Sequence, residues 1–199
     1  MPTKKPAKSR AAKKPSGTIY QFKITLLDTK PKIWRRIQIP DCKINTLHYH
    51  IQAAMGWTNS HLHHFDIKGE RHGIPEHLDY DGDGSIIDSK KIMLSQIVPH
   101  DVKKIAFRYT YDFGDNWEHE VLFEGILKPV PGKKYPLCLE GERAGPPENC
   151  GGTPVMSTFW RSWPIPIMRS TKTSSNGLAG ISTQSGSIPG SPRSGWSGG

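Results

Sequence analysis

No aspartate or glutamate follows Glu148, although the chain carries eighteen such residues up to that point. The stretch after it fills with Ser, Gly, Pro, Thr and scattered Trp. Such a composition, without sustained periodicity, cannot bury enough apolar surface to offset chain entropy. Residues 153–199 are therefore expected to be a disordered tail. Also missing is any apolar run near the roughly 18 residues of a membrane span, so no membrane partner is expected. The N-terminus lacks the apolar core of a secretory signal and the Arg-rich stripe of a presequence. Cysteine is scarce: Cys42, Cys138 and Cys150 make an odd count of three, which argues against a disulfide scaffold. A cytoplasmic location is the expectation. Nucleotide-binding loops and an HExxH helix are absent as motifs, and no cofactor is expected.

The formal net charge of +9 suggests nucleic acid until it is divided along the chain. Lys4, Lys5, Lys8, Arg10, Lys13 and Lys14 lie within 1–17, with no acid among them. Arg161, Arg169, Lys172 and Arg193 lie beyond the last carboxylate. The body, 18–148, holds seventeen basic groups against eighteen acids. The basic charge belongs to the tails, so a nucleic-acid contact is expected through the disordered N-terminal tail only.

Within the body, Tyr20, Phe22, Ile24 and Leu26 alternate with polar residues, the period-two mark of a half-buried strand. Asp28-Thr29-Lys30-Pro31 supplies a turn, and Ile33, Arg35, Ile37 and Ile39 alternate on the return, predicting an antiparallel hairpin. Asn45 or Thr46 can cap a helix whose stripe is Leu47, Ile51, Ala54 and Met55, with Gly56 to close it. A third strand is expected around Leu62–Ile67, a long exposed loop over 69–90, and a helical turn near Met93–Val98. Ile105, Phe107, Tyr109 and Tyr111, then Trp117, His119, Val121 and Phe123, predict a second hairpin. The sum is an α+β fold: a mostly antiparallel sheet of about five strands in ββαβ…ββ order, with one principal helix packed on one face.

Three segments carry candidate chemistry. Asp79-Tyr80-Asp81-Gly82-Asp83-Gly84 begins like an EF-hand calcium loop, but the closing bidentate Glu is replaced by Lys90; an acidic surface loop is the competing reading. His61 and His63, with His119 farther on, could hold a transition metal, since residues two apart on a strand point the same way. They could equally fill hydrogen-bonding positions in the sheet. The segment Tyr111–His119 gathers Asp112, Asp115, Trp117 and His119 around one turn, which suits either ligand binding or a structured hairpin.

Four motifs in order resemble a known family. They are Ile33-Trp34-Arg35-Arg36; Gln52-Ala53-Ala54-Met55-Gly56-Trp57 with Ser60-His61-Leu62-His63; Tyr111-Asp112-Phe113-Gly114-Asp115 with Trp117-Glu118-His119; and Tyr135–Ala144 with Pro146-Pro147-Glu148-Asn149-Cys150-Gly151-Gly152. Together they resemble the plasmid pRiA4b Orf-three-like family over roughly 19–152. The resemblance implies a compact α+β domain of chromosomes and mobile elements, and no particular reaction. Some members bear a resolvase label, but this chain shows neither a nucleophilic Ser amid arginines nor an Arg/His/Arg/Tyr set.

Family members continue beyond the Cys-Gly-Gly with a Gly-Tyr-x-Asp-Phe-Leu-Glu helix and an Asp-Pro-Asp-His segment. This chain departs there. Shifting the reading frame, so that each codon takes one residue's last base and the next residue's first two, permits 155–171 to read as that acidic sequence. At Trp160 the shift forces Leu, and at Pro164 it forces Ala. A single-base slip near Thr153–Val155 is the expectation. The domain is thus placed at 18–152. It is expected to be a non-enzymatic binding or accessory module for an unknown protein or ligand. The alternative is a metal-dependent or acid–base hydrolytic enzyme using His61, His63, Asp112, Asp115 and His119.

Overall fold

The computed structural model describes residues 17–78, 86–98 and 104–156. The basic stretch 1–16, the acidic loop at Asp79–Gly84 and the residues from 157 onward lie outside the described residues. Two hairpins form the middle of one sheet: β1 (Ile19–Leu26) with β2 (Ile33–Pro40), and β6 (Ile105–Tyr111) with β7 (Trp117–Leu127). β3 (His63–Ile67) pairs antiparallel with β6, and β1 pairs antiparallel with β7.

The expected five-strand sheet is overturned, because among the described residues the sheet has eight strands in the order β5-β4-β3-β6-β7-β1-β2-β8. The three additional strands are β4 (Glu70–Gly73), β5 (Ile87–Asp88) and β8 (Leu137–Glu142). β4 and β5 fall inside the stretch 69–90 that was expected to be loop. Both are short, and β4 carries Glu70 and Arg71 on exposed positions, so neither shows apolar alternation. β8 stands at the sheet edge against β2, in a Gly-containing run that reads as loop. The β4–β5 pair is parallel, and every other ladder is antiparallel.

α1 (Ile44–Met55) remains the principal helix. It begins at Lys43 without a side-chain cap, so neither Asn45 nor Thr46 caps it. Gly56 closes it in the left-handed conformation, φ 85°, its N–H donating to the Gln52 carbonyl at 2.9 Å. Among the described residues, two single-turn helices, α2 (Pro75–Leu78) and α3 (Leu94–Ile97), and a helical segment at 152–156 complete the set.

The register puts Phe22, Ile24, Val121, Phe123, Phe107, Tyr109 and Phe65 on one sheet face, and α1 covers them with Ile44, Leu47, Ile51 and Met55. Arg35 shares this buried face. Its Nε donates to the Ala54 carbonyl at 2.9 Å and its Nη1 to the Trp34 and Glu142 carbonyls at 2.8 and 3.2 Å. One buried guanidinium thereby offsets the negative C-terminal end of α1, which has no basic residue of its own in the last turn. It also ties β8 to β2, and a Cβ on Gly141 would stand 2.6 Å from Arg35 Cδ, so the strand can approach only as glycine.

Candidate functional site

Three loops meet at the end of the sheet reached by the β6–β7 turn. They are residues 57–62 after α1, the hairpin turn 112–116, and the segment 145–152 after β8. The turn is built by Asp112, which adopts φ 56°, a left-handed conformation that Asp tolerates through local hydrogen bonding. Its Oδ1 accepts the Gly114 and Asp115 N–H groups at 3.0 and 3.2 Å, and Asn116 N–H donates to its carbonyl at 2.6 Å.

Two further carboxylates join the loops. Asp115 Oδ2 accepts the Cys150 and Gly151 N–H groups at 3.1 and 3.2 Å. Gly152, at φ 71°, lies so close behind that a Cβ would collide with the Asp115 carbonyl. Glu148 Oε2 accepts Thr58 N–H at 3.1 Å and the Thr58 hydroxyl, while its Oε1 accepts the Tyr111 hydroxyl. Burial raises the Glu148 carboxyl, but the hydrogen bonds from Thr58 and Tyr111 outweigh it and hold the group below its ordinary range. Burial, then the bond to Glu148, pushes the Tyr111 phenol up. Trp57 Nε1–H donates to the Pro146 carbonyl at 2.8 Å, and its ring stacks on Tyr111 at 5.0 Å.

Of the six residues singled out in the sequence, the fold brings His61 and Asp112 together, with Nε2 3.4 Å from Oδ2. That Nε2 is sealed from solvent yet has no aligned hydrogen bond, so the contact becomes an ion pair only when the ring is protonated. The His61 side chain is otherwise 27% exposed. β3 begins only at His63, so His61 sits in the preceding loop and does not share its direction. His63 instead turns into the core, its ring stacked 3.4 Å from His48 and within 2° of parallel. Burial, with the neighbouring His48, pushes its pKa down to about 2.

Trp117 and His119 are fully buried. His119 Nδ1 lies 3.3 Å from the Tyr109 carbonyl, its ring is edge-on to Trp57, and burial pushes its pKa down to about 4. Asp115 is half-buried and engaged as above. Among the described residues no three His, Cys, Asp or Glu side chains gather where a metal could be held. No Ser, Thr or Cys side chain among them hydrogen-bonds His61, so no nucleophile–base pair is formed there.

Sequence reasoning missed Glu148, Thr58 and a buried polar set. His48 Nδ1 and Gln52 Nε2 both reach the Tyr109 hydroxyl, at 2.7 and 3.0 Å. His48 Nε2 meets Asn59 Oδ1 at 2.5 Å, and Asn59 N–H donates to Gln52 Oε1 at 3.0 Å. A signal existed, because His48 and Gln52 stand at i and i+4 beside the apolar stripe. The sheet's other face is polar. A groove of about 540 Å³ there includes Arg36, clamped by Glu124 through Nε at 2.6 Å and Nη2 at 2.8 Å and by Glu140.

These features define an α+β domain with one helix-covered sheet face and three interlocked loops at one end. The model of the family described as Plasmid pRiA4b ORF-3-like protein matches residues 18–166, so the matched span runs past Gly152. The chain is 38% identical over 137 residues to the uncharacterized protein y4hQ of Sinorhizobium fredii, covering 68% of each. It also resembles the crystal structure of MM3350, a protein of unknown function from Methanosarcina mazei Go1, with TM-score 0.63 and 36% identity, over 73% of this chain and 80% of that one. The chain belongs to the plasmid pRiA4b ORF-3-like family. No helix among the described residues is long and apolar enough to cross a membrane.

Proposed function

We propose that the domain is a non-enzymatic binding or accessory module that meets its partner through the platform of three interlocked loops. One observation carries the reading: the carboxylates that give this end of the sheet its catalytic look are spent on its own backbone and side chains. Asp112, Asp115 and Glu148 accept hydrogen bonds from within the platform. The outward residues are Thr58, Asn59, Ser60, Phe113, Asn116, Pro147 and Asn149, all exposed and none charged, with Phe113 at 44%. Neutral polar loops with an exposed aromatic on a rigid scaffold suit recognition of a weakly charged protein surface or ligand.

The second reading, an acid–base hydrolytic enzyme, is favoured by the His61–Asp112 contact. Elemental analysis of the purified full chain, with ester and phosphate hydrolysis assays on it and on His61→Ala, separates the two. The binding reading expects substoichiometric metal and no turnover dependent on His61. One equivalent of zinc or manganese, or hydrolysis that His61→Ala abolishes, overturns it.

The single-base slip near Thr153–Val155 is proposed alongside. Its support is the permitted acidic reading and the absence of carboxylates after Glu148. The gene's nucleotide sequence tests it: codons that cannot yield the acidic residues in the shifted frame end the idea.

A further inference from the structure

The loop that carries Thr58, Asn59 and Ser60 is gripped twice from β6. Tyr111, outermost on the strand, accepts Ser60 N–H at 3.0 Å through its hydroxyl. Tyr109, two residues deeper on the same face, reaches the loop through α1. Its hydroxyl contacts His48 Nδ1 and Gln52 Nε2, and those two side chains hold Asn59 by Oδ1 and by N–H. The four residues close a ring, His48–Tyr109–Gln52–Asn59, within the protein.

The ring's donors and acceptors fit in one way. Asn59 Oδ1 can only accept, so a neutral His48 must carry its hydrogen on Nε2, and the Tyr109 hydroxyl, accepting from Gln52 Nε2, points its own hydrogen at Nδ1. His48 Nδ1 is then the acceptor, and Nε2 carries the hydrogen that meets Asn59 Oδ1. Gln52 keeps its oxygen for Asn59 N–H. The three buried members, His48, Gln52 and Tyr109, are satisfied without any ionised group, as burial requires. His63 lies flat against His48 at 3.4 Å and fixes the imidazole plane. Asn59 meanwhile holds φ 60°, a left-handed conformation that asparagine tolerates better than most residues other than glycine.

We propose that this ring is a positioning device: His48, Gln52 and Tyr109 set, from the core, the conformation of the platform loop that presents Thr58, Asn59, Ser60 and His61. The inference rests on the platform being the binding surface, and it assigns its positioning residues. The polar residues on the buried side of α1 are then explained, since apolar residues at 48 and 52 would leave the buried Tyr109 hydroxyl and Asn59 without these partners.

The test is amide hydrogen exchange with ¹⁵N imidazole NMR on the full chain, comparing wild type, Tyr109→Phe and Asn59→Gly. Wild-type His48 should be neutral with the hydrogen on Nε2. Tyr109→Phe, which removes one oxygen and keeps the ring, should weaken that tautomer preference. It should also speed exchange at Asn59, Ser60 and His61 at least tenfold relative to Ile24 and Val121. Asn59→Gly, which accepts the left-handed backbone but lacks Oδ1, should do the same and serves if Tyr109→Phe does not fold. A hydrogen on Nδ1 of wild-type His48, or loop exchange that moves no more than the sheet's, overturns the proposal. Neither result bears on metal content or turnover, so a failure here is distinct from a failure of the binding reading.

Discussion

At the scale of single residues, Asp115 and Glu148 act as acceptors for groups far away in sequence. Truncating Asp115 leaves the Cys150 and Gly151 N–H groups without their acceptor, and truncating Glu148 does the same for Thr58 and Tyr111. Asp115→Ala and Glu148→Ala should each lose about 1–2 kcal/mol, the lower end applying where water can replace the lost acceptor. Urea unfolding measures this as a lower midpoint at unchanged slope, and a midpoint equal to wild type for both would contradict it. Asp115 was legible in the sequence as a turn residue, because Gly-Asp-Asn has the chemistry of a tight turn, whereas Asp112 stood out only as a candidate binding carboxylate. Glu148 was not legible. Its partners Thr58 and Tyr111 are brought to it only by the closure of the whole sheet, and no local pattern announces such a contact.

At the scale of elements, what the sequence revealed depended on how much of each strand is buried. β1, β2, β6 and β7 are seven to eleven residues long with an apolar face under α1, so period-two alternation marks them plainly. β3 is shorter but keeps His63, Phe65 and Ile67 on the buried side. β4, β5 and β8 lie toward the edges of the sheet, where few side chains need burial and backbone pairing alone defines the strand. No hydrophobic pattern was there to read, and a sheet of five strands was the result. The helix shows the converse. Its apolar stripe was visible, while the polar pair His48 and Gln52 beside it passed unremarked, although both are buried and fix the loop that follows.

At the scale of the whole molecule, the buried histidines His48, His63 and His119 are neutral parts of the architecture. His48, His63 and His119 are buried, and their pKa values are pushed down, to about 4, about 2 and about 4. His50, His64 and His72 are shifted in the same direction by burial. Among the described residues, the titratable groups facing the stacked pair are Tyr49, His64, His77, Tyr109 and Tyr111, and no carboxylate hydrogen-bonds either ring. Below the ordinary histidine pKa the unfolded chain therefore binds protons that the folded chain refuses. Stability is complete above about pH 6.5 and falls as pH drops toward the folded values. The carboxylates contribute only lower down, since Glu124 and Glu148 are held below their ordinary range.

Unfolding free energy measured from pH 8 to pH 4.5 tests this most directly. A plateau is predicted above pH 7, with a loss of about 3–4 kcal/mol between pH 6 and pH 5, from three refused protons at just under ~1.4 kcal/mol per unit each. Stability that stays flat from pH 7 to pH 5, or rises, would mean these imidazoles take up protons in the folded state, and the structural role given to them would be wrong.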